Sequence, residues 1–357
     1  MKHHQAIFPP LALAVLMFAG VMEDIWPLGG LLLRGATLIL AVLSAVHHAE
    51  VVAHRTGEPM GTLVLALAVT IIETALILSF MLMGSGDHTT LARDTLFAAI
   101  MIICNGVVGL CVLIGGWRHR EQVFRVQGIG PALAALLALS ALSLVLPTFT
   151  TSSPSGTYTS SQLVFVSLTS LALWSVFTFF QTVRHRDYFL PENDLENSHA
   201  HAEPPSVWTA SLSAVLLLVC LVVVVGLAKQ LSPAIEGGIR AMGAPQTLVG
   251  IVIALLVLMP ETLAAWRAAK ANRLQTSLNL ALGSALASIG LTIPAVSLTA
   301  VWLDMPLTLG LDNKDLAMLV LTFMIGSITL AQGRTSMMQG AIHLVIFASF
   351  LFLSLVP

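Results

Sequence analysis

Long apolar runs recur along almost the whole of this 357-residue chain, and they constrain its fold more than any other feature. A helix needs about 20 apolar residues to cross the hydrocarbon core of a bilayer. The chain is 57% hydrophobic and only 10% charged, whereas soluble domains carry roughly 25% charged residues. The sequence therefore predicts an all-α polytopic membrane protein that is surrounded by lipid. We predict eleven transmembrane helices: Ile7–Met22, Leu28–Val46, Met60–Met83, Thr95–Gly115, Pro131–Leu146, Gln162–Phe180, Val207–Leu227, Gln246–Ala265, Leu278–Val301, Leu316–Ala331 and Ala341–Val356.

Lysine and arginine are distributed unequally between alternate loops, which predicts the orientation of the helices. Cytoplasmic loops carry an excess of these residues. With the N-terminus inside and the C-terminus outside, Arg34 falls within the second helix and the outer loops hold Arg93, Lys229, Arg240 and Lys314. The inner segments then hold Lys2, Arg55, Arg118, Arg120, Arg125, Arg184, Arg186, Arg267, Lys270, Arg273 and Arg334. We therefore expect a cytoplasmic N-terminus and a periplasmic C-terminus.

Two of the predicted helices contain a Glu-Thr pair, and this suggests an internal repeat. Glu73-Thr74 interrupts the third helix and Glu261-Thr262 interrupts the eighth. Because each set of five helices has an odd number, the second set enters the membrane with the opposite orientation. An inverted repeat of this kind is common in secondary transporters, whose site lies near the bilayer midplane. We predict an extra first helix (residues 1–24), a five-helix repeat (25–183), a cytoplasmic linker (184–206) and a second five-helix repeat (207–357).

The polar linker is rich in acidic residues and histidines, and it has two interpretations. A solvated connection between the repeats is favoured over a cation-sensing regulatory segment. Its acidic residues and histidines are Asp187, Glu192, Asp194, Glu196, Glu203, His185, His199 and His201.

The two glutamates are the strongest candidates for function. A charge at the centre of a membrane helix costs about 2.5–3.5 kcal/mol on insertion scales, so such residues tend to be functional. A carboxylate that only pairs with Arg34 is the structural alternative, but one arginine cannot neutralise both Glu73 and Glu261. Two facing carboxylates titrate as a coupled pair and become neutral by taking up protons or a cation. Hard cations such as Ca²⁺ prefer oxygen ligands, so protons and a cation would compete for the same atoms.

Several neighbouring polar residues could complete a cation or proton site around Glu73 and Glu261. Helix packing through small residues is an equally good account of the serines. His48 and His343 are candidates for pH sensing, because histidine titrates near neutral pH; an interfacial anchor and a buried neutral histidine are the respective alternatives. The candidate ligands are Thr70, Asn105, Asn279, Ser284 and Ser288.

Four stretches of the chain resemble the calcium/cation antiporter superfamily, and in particular its bacterial ChaA-type Ca²⁺(Na⁺, K⁺)/H⁺ antiporters. They are HAEVVAHRTGEPMGTL, RDTLFAAIMI, MPETLAAWRAAKANRLQTSLNLALGSALASIGLTIP and GRTSMMQGAIHL. The resemblance implies inverted five-helix repeats, a bacterial inner-membrane location, and cation and proton binding at Glu73 and Glu261. Relatives carry Gly-Asn four and three residues before each glutamate, whereas this chain has Val69-Thr70 and Val257-Leu258.

We therefore expect a secondary transporter that exports Ca²⁺, with Na⁺ and K⁺ as further candidate substrates, in exchange for protons by alternating access. A monovalent Na⁺(K⁺)/H⁺ antiporter is the main alternative, and a passive cation channel is a further one. The chain has no Walker A, HExxH or GxSxG motif, so we expect neither an ATP-driven pump nor an enzyme, and no cofactor. Its net charge of −2 gives no indication of a nucleic-acid partner.

Overall fold

A computed structural model describes residues 3–57, 60–83, 89–189, 205–243, 245 and 247–356. Within these residues the chain forms eleven long helices, and the prediction of an all-α membrane protein is confirmed. Nine of the described helices are long and apolar enough to cross a membrane, and shorter apolar segments lie at Ile7–Phe18 and Ala66–Leu82. The helices are α1 His3–Ile25, α2 Pro27–Thr56, α3 Met60–Met83, α4 Leu91–His119, α5 Val126–Phe149, α6 Ser160–Arg184, α7 Val207–Ala241, α8 Thr247–Lys270, α9 Leu274–Leu303, α10 Asn313–Leu330 and α11 Met337–Leu355.

Several helices are longer than their apolar cores. The sequence predicts that the seventh transmembrane helix ends at Leu227, but α7 continues through Pro233 to Ala241. At 1.5 Å per residue its 35 residues span roughly 50 Å, more than the ~30 Å hydrocarbon core. Polar residues that end a hydrophobic run therefore need not end the helix.

Contacts divide the chain into two compact units, each of which takes helices from both predicted repeats. The first unit comprises Met1–His88 and Ala200–Val249, and the second comprises Thr89–His199 and Gly250–Pro357. The predicted boundaries at residues 24, 183 and 206 describe the repeats in sequence and stay a prediction. The linker positions 190–204 lie outside the described residues.

The first unit is built around α2, which packs against α1, α3 and α7. Ala41, Ala45 and Ala49 are completely buried and recur every four residues, so they form one face of α2. Small residues on such a face let helix backbones approach closely. Near the centre of α7, Cys220, Val223, Val224 and Leu227 are completely buried.

The second unit shows the exchange of partners that inverted repeats produce. The third helix of the first repeat, α4, packs against α11 and α10 of the second repeat. The third helix of the second repeat, α9, packs against α6 and α5 of the first. Glycines permit the closest of these approaches: a Cβ atom at Gly340 in α11 would overlap the backbone of Leu113 in α4.

Within the described residues, three helices contain a π-helical turn, at Ile102–Val107 in α4, Ala141–Val145 in α5 and Phe180–Arg184 in α6. In such a turn the backbone hydrogen bonds span five residues instead of the four of an α-helix, and these turns are frequent at functional sites. The first contains Asn105, a predicted site residue.

Two structured connections close the ends of the second unit. At one end, β1 (Glu121–Val123) pairs antiparallel with β2 (Arg334–Ser336), and Gln122 Nε2 donates to Ala269 O at 3.1 Å and to Asn272 Oδ1 at 2.9 Å. At the other end, the N–H groups of Leu309 and Gly310 donate to Gly156 O at 2.9 and 2.8 Å. Gly156 adopts φ +82°, a conformation that glycine tolerates best.

Candidate functional site

Glu73 lies near the middle of α3 and is only 1% exposed. It is the one charged residue of a 24-residue helix that packs against α2 and α7. The apolar residues Ile72, Leu76 and Ile77 beside it are equally buried. The structure thus places a carboxyl group within a closely packed, apolar helix bundle.

Two threonine hydroxyls accompany Glu73 on the same helix. Thr70 is 6% exposed, and the Oγ1 atoms of both Thr70 and Thr74 are buried. Within the described part of the chain neither hydroxyl has a hydrogen-bond partner. A buried polar group without a partner costs about 1–3 kcal/mol, so these oxygens are available to a ligand.

Glu261 occupies the corresponding place in α8, directly after Pro260, and is half-buried. Pro260 lacks the N–H that would bond to the preceding turn of the helix. The hydroxyl of Thr262 donates to Leu258 O at 2.7 Å and is therefore satisfied by its own helix. The Glu-Thr pairs of α3 and α8 thus differ in how their hydroxyls are bonded.

Glu73 belongs to the first unit and Glu261 to the second. Their approach across the predicted two-fold axis stays a prediction. Among the residues that the structure describes, no three His, Cys, Asp or Glu side chains are grouped to hold a metal ion. A hard cation bound by Glu73 or by Glu261 would therefore take its other ligands from hydroxyl, amide or carbonyl oxygens.

Asn105 and His343, both completely or almost completely buried, lie in one polar network that joins three helices of the second unit. Asn105 Oδ1 lies 3.0 Å from His343 Nδ1, and Asn105 Nδ2 donates to Thr322 Oγ1 at 2.9 Å. His343 Nε2 lies 3.1 Å from Thr329 Oγ1. The network therefore links α4, α10 and α11 at the π-helical turn of α4.

These contacts fix the tautomer of a neutral His343. Because an amide oxygen can only accept, His343 Nδ1–H donates to Asn105 Oδ1. His343 Nε2 is then an acceptor for the Thr329 hydroxyl. Both groups of the Asn105 amide are engaged, so a role for Asn105 as a cation ligand would require this network to open. That role, and pH sensing by His343, stay predictions.

The candidate residues of α9 lie at different depths. Asn279 Nδ2 donates to Phe189 O at 2.6 Å, and Asn279 Oδ1 accepts from Gln275 at 3.0 Å. Ser284 lies ten residues into α9, and Glu261 lies nine residues before the end of α8. Measured from the turn that joins the helices, both are therefore at about 13–15 Å, whereas Asn279 is at about 8 Å.

Ser284 consequently matches the depth of Glu261 better than Asn279 does, whereas Ser288 lies deeper, at about 21 Å. The Ser284 hydroxyl is buried, with no hydrogen-bond partner in the described ranges, and Ser288 is buried as well. The sequence spacing alone did not distinguish Asn279 from the serines. The hydrogen bond from Asn279 to Phe189 O joins residues that are 90 positions apart in the chain.

His48 lies in α2 of the first unit and is completely buried, with its ring 5.5 Å from that of His47. This burial is inconsistent with the interfacial anchor that was its alternative interpretation. Its proposed role in pH sensing stays a prediction.

An ion-pair cluster around the buried Arg93 and Asp94 at the start of α4 was not anticipated from the sequence. Arg93 pairs with its neighbour Asp94 at 2.8 Å. Arg93 also donates to Gly310 O at 3.1 Å and lies 3.6 Å from Asp312. Lys314 and Asp315 form a further pair at 3.7 Å. The long-range partners were missed because more than 200 residues separate them from Arg93.

Comparison with known proteins decides the family. The model of the sodium/calcium exchanger protein family matches residues 26–183 and 212–356. The chain belongs to this family. As a member of the sodium/calcium exchanger family it is a multi-pass membrane transporter of cations, and the resemblance to calcium/cation antiporters is confirmed.

Two curated relatives support this assignment, and two solved structures share the fold. The y4hA protein of Sinorhizobium fredii is 49% identical, covering 92% of this chain and 89% of its own length. The sodium-potassium/proton antiporter ChaA of Escherichia coli is 36% identical over 98% and 95%. The structure of native YfkE gives a TM-score of 0.74 at 17% identity, covering 98% of this chain and 100% of its own.

The H⁺/Ca²⁺ exchanger CAX gives a TM-score of 0.65 at 15% identity, covering 96% of this chain and 87% of its own. At these identities the two structures are evidence only that the chains share a fold.

Proposed function

We propose that this protein is a cation/proton antiporter of the bacterial inner membrane, which exports Ca²⁺ in exchange for protons. The observation that carries the proposal is Glu73, a carboxyl group 1% exposed within an apolar helix and accompanied by two available hydroxyls. Glu261 supplies the second carboxyl group from the inverted repeat. The name of the Ca²⁺/H⁺ antiporter of Aphanothece halophytica, which is 24% identical over 80% of this chain, supports calcium as the substrate.

The mechanism follows from the cost of a bare carboxylate in the membrane. Each glutamate is neutral when it holds a proton, and a cation between the two neutralises both charges together. Protons and the cation compete for the same carboxylate oxygens, so one displaces the other. Because the empty, doubly charged site is the least favourable state in a low-dielectric interior, the helices carry a loaded site between the two sides. This arrangement favours exchange over leakage.

Monovalent antiport is a second candidate, and two observations favour it. The Gly-Asn found in relatives is replaced by Val69-Thr70 and Val257-Leu258, which removes an amide ligand from each half. The 36% identical relative is named a sodium-potassium/proton antiporter. A site with fewer oxygen ligands suits an ion that needs less coordination than the 6–8 oxygens of Ca²⁺.

Inside-out membrane vesicles test the proposal directly. Respiration acidifies the vesicle interior, and a pH-sensitive dye then reports the proton efflux that each added cation causes. We expect Ca²⁺ to produce a response that Glu73→Gln and Glu261→Gln both abolish. Glu121→Gln is the matched control, because Glu121 is an exposed residue whose ion pair with Arg334 is 3.8 Å long.

Three results separate the alternatives. A response to Na⁺ or K⁺ without one to Ca²⁺ identifies the monovalent antiporter. Cation flux that follows the membrane potential and moves no protons identifies a channel. Wild-type responses from both glutamine variants would show that Glu73 and Glu261 are not the exchange site.

A further inference from the structure

Thr70, Glu73 and Thr74 lie on one face of α3. Successive residues of an α-helix are rotated by about 100°, so Thr74 lies about 40° to one side of Thr70 and Glu73 about 60° to the other. The three side chains therefore fall within an arc of about 100°. Any ion that Glu73 binds would meet this face of the helix.

Buried hydroxyls elsewhere in the protein usually bond to the carbonyl four residues earlier. Ser79 in the same helix donates to Ala75 O at 2.6 Å, and Thr95 in α4 donates to Leu91 O at 2.8 Å. Thr70 and Thr74 depart from this behaviour, since their buried hydroxyls have no partner among the residues described. Their oxygens are thus left for a group that is not part of the helix.

The matching face of α8 lacks this feature. Leu258 stands three residues before Glu261, where α3 has Thr70. Thr262 follows Glu261, where α3 has Thr74, and its hydroxyl bonds to Leu258 O at 2.7 Å. The face of α3 therefore offers a carboxyl group and two hydroxyls, whereas that of α8 offers a carboxyl group alone.

We propose that the Thr74 hydroxyl is a further ligand of the transported cation, on the face of α3 that carries Glu73. The proposal rests on the cation/proton exchange proposed above. Thr74 follows the glutamate in sequence, whereas Thr70 precedes it. Thr262, the counterpart of Thr74 in α8, donates its hydroxyl to Leu258 O of its own helix. The ligand class is a hard cation, Ca²⁺, Na⁺ or K⁺, for which a hydroxyl oxygen is a neutral ligand.

The test uses full-length protein in proteoliposomes and compares three variants. Thr74→Val removes the hydroxyl and keeps the shape, Thr74→Ser restores the hydroxyl, and Thr262→Val is the matched control on α8. The apparent KM and the maximal rate are measured for Ca²⁺, Na⁺ and K⁺. Equilibrium binding of radioactive Ca²⁺ and Na⁺ to the detergent-purified proteins is measured in parallel.

We expect Thr74→Val to raise the apparent KM and the Kd of the transported cation by about tenfold, with a smaller effect on the maximal rate. Thr74→Ser should stay within about twofold of wild type, as should Thr262→Val. Unchanged binding in Thr74→Val, or an equal loss in Thr262→Val, would overturn the proposal. If Thr74→Val does not fold, Thr74→Ser decides the question. A Kd about tenfold above wild type in Thr74→Ser, which keeps the hydroxyl, would also overturn the proposal.

The binding measurement separates this proposal from the proposed function. A wild-type protein that binds a cation but moves no protons would contradict antiport. The Kd of Thr74→Val would still decide whether Thr74 is a ligand.

Discussion

At the scale of single residues, the oxygen atoms of α3 and α8 are bonded differently even though both helices contain a Glu-Thr pair. Thr262 uses its hydroxyl within its own helix, whereas Thr74 does not. The glutamates could be found in the sequence because a charge is conspicuous in an apolar run. The state of the hydroxyls could not, because it depends on side-chain rotamers that a repeated dipeptide does not specify.

The network around His343 could likewise not be derived from the sequence. Asn105, Thr322 and Thr329 come from helices that are far apart along the chain, and no local pattern pairs them. The sequence indicated only that a buried histidine needs a partner, and the structure supplies two.

Replacing Asn105 by leucine tests how much this network contributes to stability. The substitution leaves His343 Nδ1–H buried without its acceptor, which costs about 1–3 kcal/mol. We expect a lower melting temperature for the detergent-purified protein, measured with a thiol-reactive dye that detects exposure of the buried Cys104, Cys111 and Cys220. Ser349→Ala, at an exposed position of α11, should melt like wild type; an identical melting temperature for Asn105→Leu would contradict the assignment.

Tyr158 gives a prediction about pH, because it lies in the connection between α5 and α6, outside the membrane helices. Burial raises the pKa of its phenol from 10 to about 12, and the hydroxyl donates to Leu142 O at 2.7 Å. The folded protein therefore holds this proton more tightly than the unfolded chain does. Its contribution to stability is present below pH 10 and is lost as the pH rises through 12.

Near-ultraviolet absorbance of the phenolate measures this titration. The difference between wild type and Tyr158→Phe should have its midpoint near pH 12. A midpoint at the ordinary value of 10 would show that the burial of Tyr158 does not affect its ionisation.

At the scale of elements, the apolar runs predicted the helices, but not their ends or irregularities. Hydropathy reports the part of a helix that lies in lipid, so the polar extension of α7 to Ala241 was missed. The π-helical turns depend on contacts with other helices and have no periodic signature. The strands Glu121–Val123 and Arg334–Ser336 were missed because each has only three residues.

Close packing between α4 and α11 predicts a large effect from a small substitution. Gly340→Ala would place a Cβ atom against the backbone of Leu113, so α11 would have to move away from α4. Overpacking of this kind costs about 1–3 kcal/mol. We expect a lower melting temperature and reduced transport in proteoliposomes.

Gly283→Ala is the matched control, because a Cβ atom at Gly283 in α9 meets nothing within 4 Å. Alanine is favoured over glycine within a helix by about 1 kcal/mol, so this variant should be as stable as wild type or more so. Equal melting temperatures for the two variants would contradict the close contact at Gly340.

At the scale of the whole molecule, the inverted repeat was predicted from two glutamates and an odd number of helices. The exchange of helix partners by α4 and α9 within the second unit agrees with it. The division into compact units could not be predicted from the repeats, because each unit combines helices from both. Contacts between repeats leave no local signal in the sequence.

The orientation of the whole protein is tested by fusions to its C-terminus. The excess of Lys and Arg in alternate loops predicts a periplasmic C-terminus. A C-terminal alkaline phosphatase should therefore be active, and a C-terminal green fluorescent protein should be dark. The reverse pattern would invert the predicted topology, and a fusion after Arg184, in the predicted cytoplasmic linker, provides the internal control.

In the proposed mechanism a cation and protons compete for Glu73 and Glu261, and proton release on cation binding measures this competition most directly. Detergent-purified protein in weakly buffered solution receives Ca²⁺, Na⁺ or K⁺ while a pH dye records the protons released. We predict acidification by the transported cation in wild type, and its loss in Glu73→Gln and in Glu261→Gln. Cation binding without proton release, or undiminished release from both glutamine variants, would contradict the claim.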